Sequence, residues 1–516
     1  MKQEKSRTDK FLLNIIMSAA LQLITVITGF VTPRLMLKYF GSDINGLTTS
    51  ITQYISYISL VEAGLGNAAV FALYRPLATG DIKARDAAIS AARISYRNTG
   101  ILFTSLAVVL AVVYPFIAKA NQLSYIQTMA LVLILCLNSV LNFFIMAKYR
   151  ALLTADQCNY CISSVSAIQY ILHMLVIVFT VKSFSRLSGG VVYVRGLAVC
   201  TLFLSAFLLS LIVKKKYGKI NFKAEPDKNA MNKRNDAMFL QIMGVIQHSS
   251  PAVIITSALG LSMVSVYSVY NMVAGTMSTC IDVFTSGLAA SFGTIKASGD
   301  EQLLKKTNEQ FRVVIFVVIT VLYSTMLMLL LPFVKIYTAV ATDGVNYIIP
   351  AFGFLMATYG LLNALKGVYG MLIYSMGKYK ESRIYSFIQT VLTVGLCLVM
   401  PKFTGITGVA IGLVAGSLFI LIVMMWFTPK YLIPISVPKE IFRILRVFIV
   451  VYGLFGISKI LGINPTTYQA WIGYAAVTVV ISTLTALAIN LPFEYKIYKE
   501  IIQRIKTYAK LKLARK

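Results

Sequence analysis

Long uninterrupted apolar runs dominate this chain, with polar clusters between them. The pattern reads as about fourteen spans: 11–32, 44–73, 100–118, 125–147, 160–181, 189–213, 238–259, 263–294, 312–334, 347–376, 384–401, 405–428, 444–461 and 469–491. Runs of roughly 17–25 apolar residues are long enough to cross ~30 Å of hydrocarbon as helices. They are too long and too continuously apolar for the alternating strands of a membrane barrel. The expected fold is therefore all-α and polytopic. The second, eighth and tenth spans are overlong and must tilt, kink or protrude. Pro350 and several glycines give the tenth a place to kink. The first run follows Lys2, Lys5, Arg7 and Lys10, but it exceeds a secretory h-region and reads as a retained span.

Composition agrees. The chain of 516 residues is 58% hydrophobic and 13% charged, against ~25% charged in soluble domains. The net charge of +29 would suit nucleic acid, but its distribution argues against that partner. With the N-terminus in the cytoplasm, most Lys and Arg residues fall in inner segments, which is the positive-inside pattern and puts both termini inside. The richest inner segment, "KKKYGKINFKAEPDKNAMNKR" (214–234), faces anionic lipid heads. No polar segment is long enough to fold as a catalytic domain, and no Walker-type loop appears. Six cysteines are scattered. "CNYC" (158–161) lacks the strand-rich context of a redox fold, and two histidines offer no zinc site. No cofactor, metal site or catalytic group is expected.

The chain repeats itself. Gly41 and Gly260 precede corresponding spans, and "ATGD" (78–81) and "ASGD" (297–300) follow them at the same 219-residue offset. Glu62 maps beside Asp282. "MAKY" (146–149) and "MGKY" (376–379) continue the order at a larger offset. The repeat is parallel, so two six-helix lobes are expected with substrate between them. The expected organisation is an N-lobe (1–213), a basic linker (214–237), a C-lobe (238–428), an accessory helix pair (429–491) and a basic tail (492–516).

Two stretches carry a resemblance, "YFGSDINGL" (39–47) and "EAGLGNA" (62–68). With the six-plus-six-plus-two helix pattern, the chain resembles the polysaccharide flippases of the multidrug/oligosaccharidyl-lipid/polysaccharide exporter superfamily. It departs where members often carry an intramembrane acid, since His248, Ser249 and Ser250 stand there. The resemblance implies a flippase moving an undecaprenyl-diphosphate-linked oligosaccharide from the inner to the outer leaflet of a bacterial plasma membrane. It implies no enzyme activity, and a glycan polymerase of the same pathway as a partner. A multidrug exporter of the same superfamily is the main alternative. A membrane glycan polymerase or ligase is third, without the large outer loop such enzymes carry.

Charges within spans are expensive and usually face a cavity or a partner. Lys366, Arg195, Arg34, Lys38 and Asn363 are the expected substrate-binding residues. Lys366 is placed deepest and Arg34 and Lys38 toward the outer mouth. Glu62, Asp282 and His248 are expected in coupling or gating. Gly41, Gly46, Gly64 and Gly66 are expected as structural motif positions.

Overall fold

A computed structural model describes residues 7–118, 122–222, 224–225, 235–462 and 464–514. Lys2, Lys5 and residues 223 and 226–234 of the basic linker lie outside the described residues. All regular elements described are helical. A backbone in hydrocarbon must satisfy its own N–H and C=O groups, and a helix does so within one segment. Twelve helices among the described residues are long and apolar enough to cross a membrane. The first of them, Leu12–Glu62, is 51 residues long and has the length of two crossings. The helix Leu261–Ala297 is additional to the twelve.

The chain divides into two compact units. Unit 1 comprises residues 1–268 and 340–345, and unit 2 comprises 269–339 and 346–516. Residues 238–268, expected at the start of a C-lobe, fall within unit 1.

Unit 1 contains α1 (Arg7–Ile58), α2 (Leu65–Thr79), α3 (Ile82–Ile117), α4 (Tyr125–Leu141), α5 (Ala147–Ala155), α6 (Asn159–Phe184), α7 (Gly190–Tyr217), α8 (Asn235–Ala258) and the first turns of α9 (Leu261–Ala297). Gly41 divides α1 with a left-handed backbone, φ 80°. Ser42 N–H, freed by that break, donates to Asp343 at 2.5 Å. Burial alone would raise the Asp343 carboxyl. The hydrogen bond from the Ser42 backbone outweighs it and holds the group below the usual carboxylate range.

The "YFGSDINGL" stretch is a packing device. Asn45 donates to Ser265 at 2.7 Å, and Ser262 donates to Asp43. A Cβ on Gly46 would collide with the Leu261 carbonyl. Gly46 is therefore glycine for close approach, and Gly41 for backbone conformation.

Unit 2 contains the rest of α9, then α10 (Glu301–Thr338), α11 (Pro350–Met376), α12 (Tyr379–Val399), α13 (Pro401–Thr404), α14 (Ile406–Tyr431), α15 (Val437–Ile460) and α16 (Tyr468–Ala514). Pro350 opens α11 rather than kinking it, which suits its missing N–H. The accessory pair α15 and α16 packs on α10.

The repeat survives in local geometry. Gly80 ends α2 and Gly299 follows α9, with φ of 70° and 75°. The next residues, Asp81 and Asp300, each cap the following helix by accepting from the third amide on, at 3.0 and 2.8 Å. Gly41 and Gly260 match as well, at φ 80° and 89°. "MAKY" and "MGKY" differ: Lys148 is inside α5, whereas Gly377 (φ 68°) follows the end of α11.

Candidate functional site

Glu62 lies at a helix break, not inside a helix. α1 ends at Ile58, a 3₁₀ turn covers Ser59–Glu62, and Gly64 is left-handed at φ 77° before α2 begins. The overlong second span is resolved by this interruption. Gly66 is different: a Cβ there would meet only Tyr96 Oη at 3.8 Å, an ordinary contact.

The break opens onto a polar cavity of about 490 Å³ within unit 1. Glu62, Ser56 and Ser59 line it from α1 and the 3₁₀ turn. Asn138 and Asn142 come from α4 and its continuation, and Arg150 from α5. Gln169, Tyr170 and His173 come from α6, and Arg195 from α7. Between α4 and α5 the helix widens into one π turn, Asn142–Met146. Such turns are frequent at functional sites, and this one presents Asn142 and Met146 to the cavity.

The structure thus brings Glu62 and Arg195 into one cavity. It adds Arg150 and His173, which the sequence reading missed. Arg150 lies at the end of a span and passes for a topology determinant. His173 is a single polar residue in an apolar run.

Several cavity groups lack partners. Arg150 Nε, Arg195 Nε, His173 Nδ1 and Asn142 Oδ1 are buried with no hydrogen bond among the described residues. Arg150 lies within electrostatic reach of Glu62 and Tyr170. His173 has the same relation to Arg195.

The remaining predicted residues are dispersed. Lys38 is exposed and lines a second pocket of unit 1, about 420 Å³, with Gln122, Ser185, Ser188 and Asp343. Arg34 is partly buried on α1 and engaged by the protein. His248 is exposed on α8. In unit 2, Asp282 is exposed on α9 and Lys366 is partly buried on α11. Asn363, one turn before Lys366, contacts Ser417 of α14 at 3.3 Å.

Unit 2 also buries charges that the sequence reading passed over. Arg312 of α10 pairs with Glu440 of α15, which accepts from Tyr369 at 2.9 Å. Arg443 and Arg446 both hold Glu494 of α16, at 2.7 and 3.0 Å. These five charged residues are 1–4% exposed. Arg446 lies over the rings of both Phe442 and Phe493, which pack edge to face on each other. The backbone of α16 departs from helix at Glu494 itself. Each lies near the end of an expected span, where charge looks unremarkable.

A third cavity, about 330 Å³, is apolar. Leu327, Leu330 and Leu331 of α10, Phe354 of α11 and Phe455 of α15 line it, with Lys459 at its edge.

Cys158 directly precedes α6, and all the cysteines described are free. Asp156 beside it accepts from Lys216 and Tyr217 at 2.5 and 2.6 Å and from Lys10 at 3.1 Å. Burial would raise its carboxyl, and these donors together hold it below the usual range.

No family model matches the sequence, and no curated protein does. Solved structures do. An inward-facing multidrug resistance MATE family transporter of the MOP superfamily matches at TM-score 0.65 and 13% identity, over 81% of this chain and 97% of that one. The lipid II flippase MurJ in an inward closed conformation matches at 0.61 and 14%, over 94% and 100%. A MOP superfamily transporter from Pyrococcus furiosus Vc1 (DSM3638) matches at 0.56 and 14%, over 83% and 98%. That protein is described as having a binding pocket of reverse polarity that suggests a different function. The chain has the fold of MOP superfamily transporters.

Proposed function

We infer that this chain is a flippase for a lipid-linked oligosaccharide with an anionic diphosphate head. It acts by alternating access in a bacterial plasma membrane, with both termini cytoplasmic. One observation carries the reading: the polar cavity of unit 1 holds two guanidinium groups against one carboxylate. An exporter of cationic drugs needs the opposite sign. The apolar cavity beside α15 supports the same reading, because a polyprenyl chain needs an oily surface. The neighbour MurJ is named a lipid II flippase, and lipid II is itself a lipid-linked substrate.

In this reading the diphosphate leaves water against fixed cations, which lowers the cost of crossing a medium of low dielectric. Lys366, Arg195, Arg34 and Lys38 serve as successive contacts, with Asn363 beside Lys366. Glu62, Asp282 and His248 serve coupling. A second reading, export of cationic drugs, draws on the carboxylates Glu62 and Asp282.

The test reconstitutes the purified chain in liposomes loaded with a short polyprenyl-diphosphate-linked saccharide. Lectin binding follows the saccharide at the opposite leaflet, and ethidium flux is measured in parallel. Saccharide transfer without ethidium flux is expected. Ethidium flux without saccharide transfer would establish the second reading instead.

A further inference from the structure

The polar cavity of unit 1 contains more positive charge than the chain neutralises. Arg150 and Arg195 line it from different helices. Neither guanidinium makes a hydrogen bond or close ion pair among the described residues, and both Nε atoms are buried. A guanidinium does not shed its proton in a protein. Leaving such a charge unpaired away from water is costly. Glu62 is the carboxylate that lines the same cavity, and its field reaches Arg150. One acid cannot balance two fixed cations. Arg195 has the His173 imidazole beside it instead, which carries no negative charge.

We propose that Arg150 and Arg195 bind an exchangeable inorganic anion inside this cavity. The amides of Asn138 and Asn142 supply further N–H donors from the wall that the π turn widens. The volume, about 490 Å³, exceeds a bare halide and accommodates a hydrated halide or a phosphate. Charge-assisted hydrogen bonds from guanidinium suit either. Glu62 is the internal competitor: its carboxylate and the bound anion are alternative counter-charges for Arg150. The site stands on the cavity alone, whatever substrate the chain carries. A free anion and the phosphate of a lipid head share this chemistry, so the experiment separates them.

Thermal unfolding of the purified full chain is titrated with chloride, bromide or inorganic phosphate. Gluconate keeps the ionic strength constant, and farnesyl diphosphate is a separate arm. Saturable stabilisation by an inorganic anion is expected. Arg150→Gln and Arg195→Gln should raise the half-saturating concentration about tenfold or more, a loss of ~1.4 kcal/mol. Arg195→Lys should recover part of it. Glu62→Gln should lower the half-saturating concentration, a result that a purely structural arginine pair would not give. Crystals soaked in bromide should show anomalous density between the two guanidiniums. Equal stabilisation of wild type and both arginine variants would reduce the effect to general salt and overturn the site. Stabilisation by farnesyl diphosphate alone would assign the arginines to substrate and overturn it too. If the arginine variants do not fold, Glu62→Gln and Asn142→Ala decide, since an unchanged half-saturating concentration in both refutes the proposal.

Discussion

Two groups of charge, one in each unit, are arranged in opposite ways. In unit 2, Arg312, Arg443 and Arg446 meet Glu440 and Glu494 directly, and the group joins α10, α15 and α16. In unit 1, Arg150, Arg195 and Glu62 line a cavity without close pairing. The first arrangement spends its charge on holding helices together. The second keeps its charge available to something that enters. Burial alone therefore does not mark a functional residue here; burial without a partner, beside open space, does.

The largest effect that would sharpen this contrast lies in unit 2. Glu494→Gln removes the negative charge shared by Arg443 and Arg446, leaving Arg446 buried without a counter-charge and Arg443 with Glu440 at 3.6 Å. A cost of about 3–5 kcal/mol is expected, read as lost membrane abundance or a collapsed melting temperature in detergent. Glu62→Gln should behave differently. It leaves abundance close to wild type while transport in the liposome assay falls, because Glu62 stabilises no close ion pair. If Glu62→Gln protein instead vanishes from the membrane, the distinction between the two units fails.

A smaller effect is expected at Gly46. An alanine there drives Cβ into the Leu261 carbonyl, and overpacking of this kind costs roughly 1–3 kcal/mol. Gly66→Ala is the control, since its Cβ meets only an ordinary contact, and its melting temperature should stay near wild type. The two glycines, alike in sequence, should separate cleanly in a thermal melt.

Lys366→Ala tests the proposed phosphate contact in unit 2. Transport should be lost at normal protein level, whereas Lys366→Arg should retain part of it. Transport by Lys366→Ala at the wild-type rate would remove this residue from the substrate path.

An effect of the same order as that at Gly46 is expected at Asp156. Its native carboxyl lies below the usual range, so its contribution is full above ~4 and is lost as pH falls through the lower native value. Asp156→Asn should cost about 1–3 kcal/mol near neutral pH. The deficit should shrink in melts taken on the acid side of that value. A deficit constant with pH would assign the loss to geometry rather than charge.

Some of this was legible beforehand. The left-handed glycines and aspartate caps after α2 and α9 follow from "ATGD" and "ASGD", because glycine and N-cap preferences are local. Gly46 could be singled out from its motif, but not the carbonyl it makes room for. Glu62 was conspicuous as a carboxylate in oil. Its place at a helix break was hinted at by Gly64. Arg150, Arg443 and Glu494 gave no signal, because charges near span ends are ordinary.

The sequence by itself determined the class of the molecule. Long apolar runs leave helix as the only backbone that satisfies its own hydrogen bonds in lipid, and that constraint acts within each segment. Tertiary structure alone decided which charges are neutralised. Arg312 finds Glu440, and Arg446 finds Glu494, across long stretches of chain, while Arg150 and Arg195 find open space. Apolarity is a property of neighbours in sequence. Counter-ions are neighbours in space, and only packing brings them together or keeps them apart.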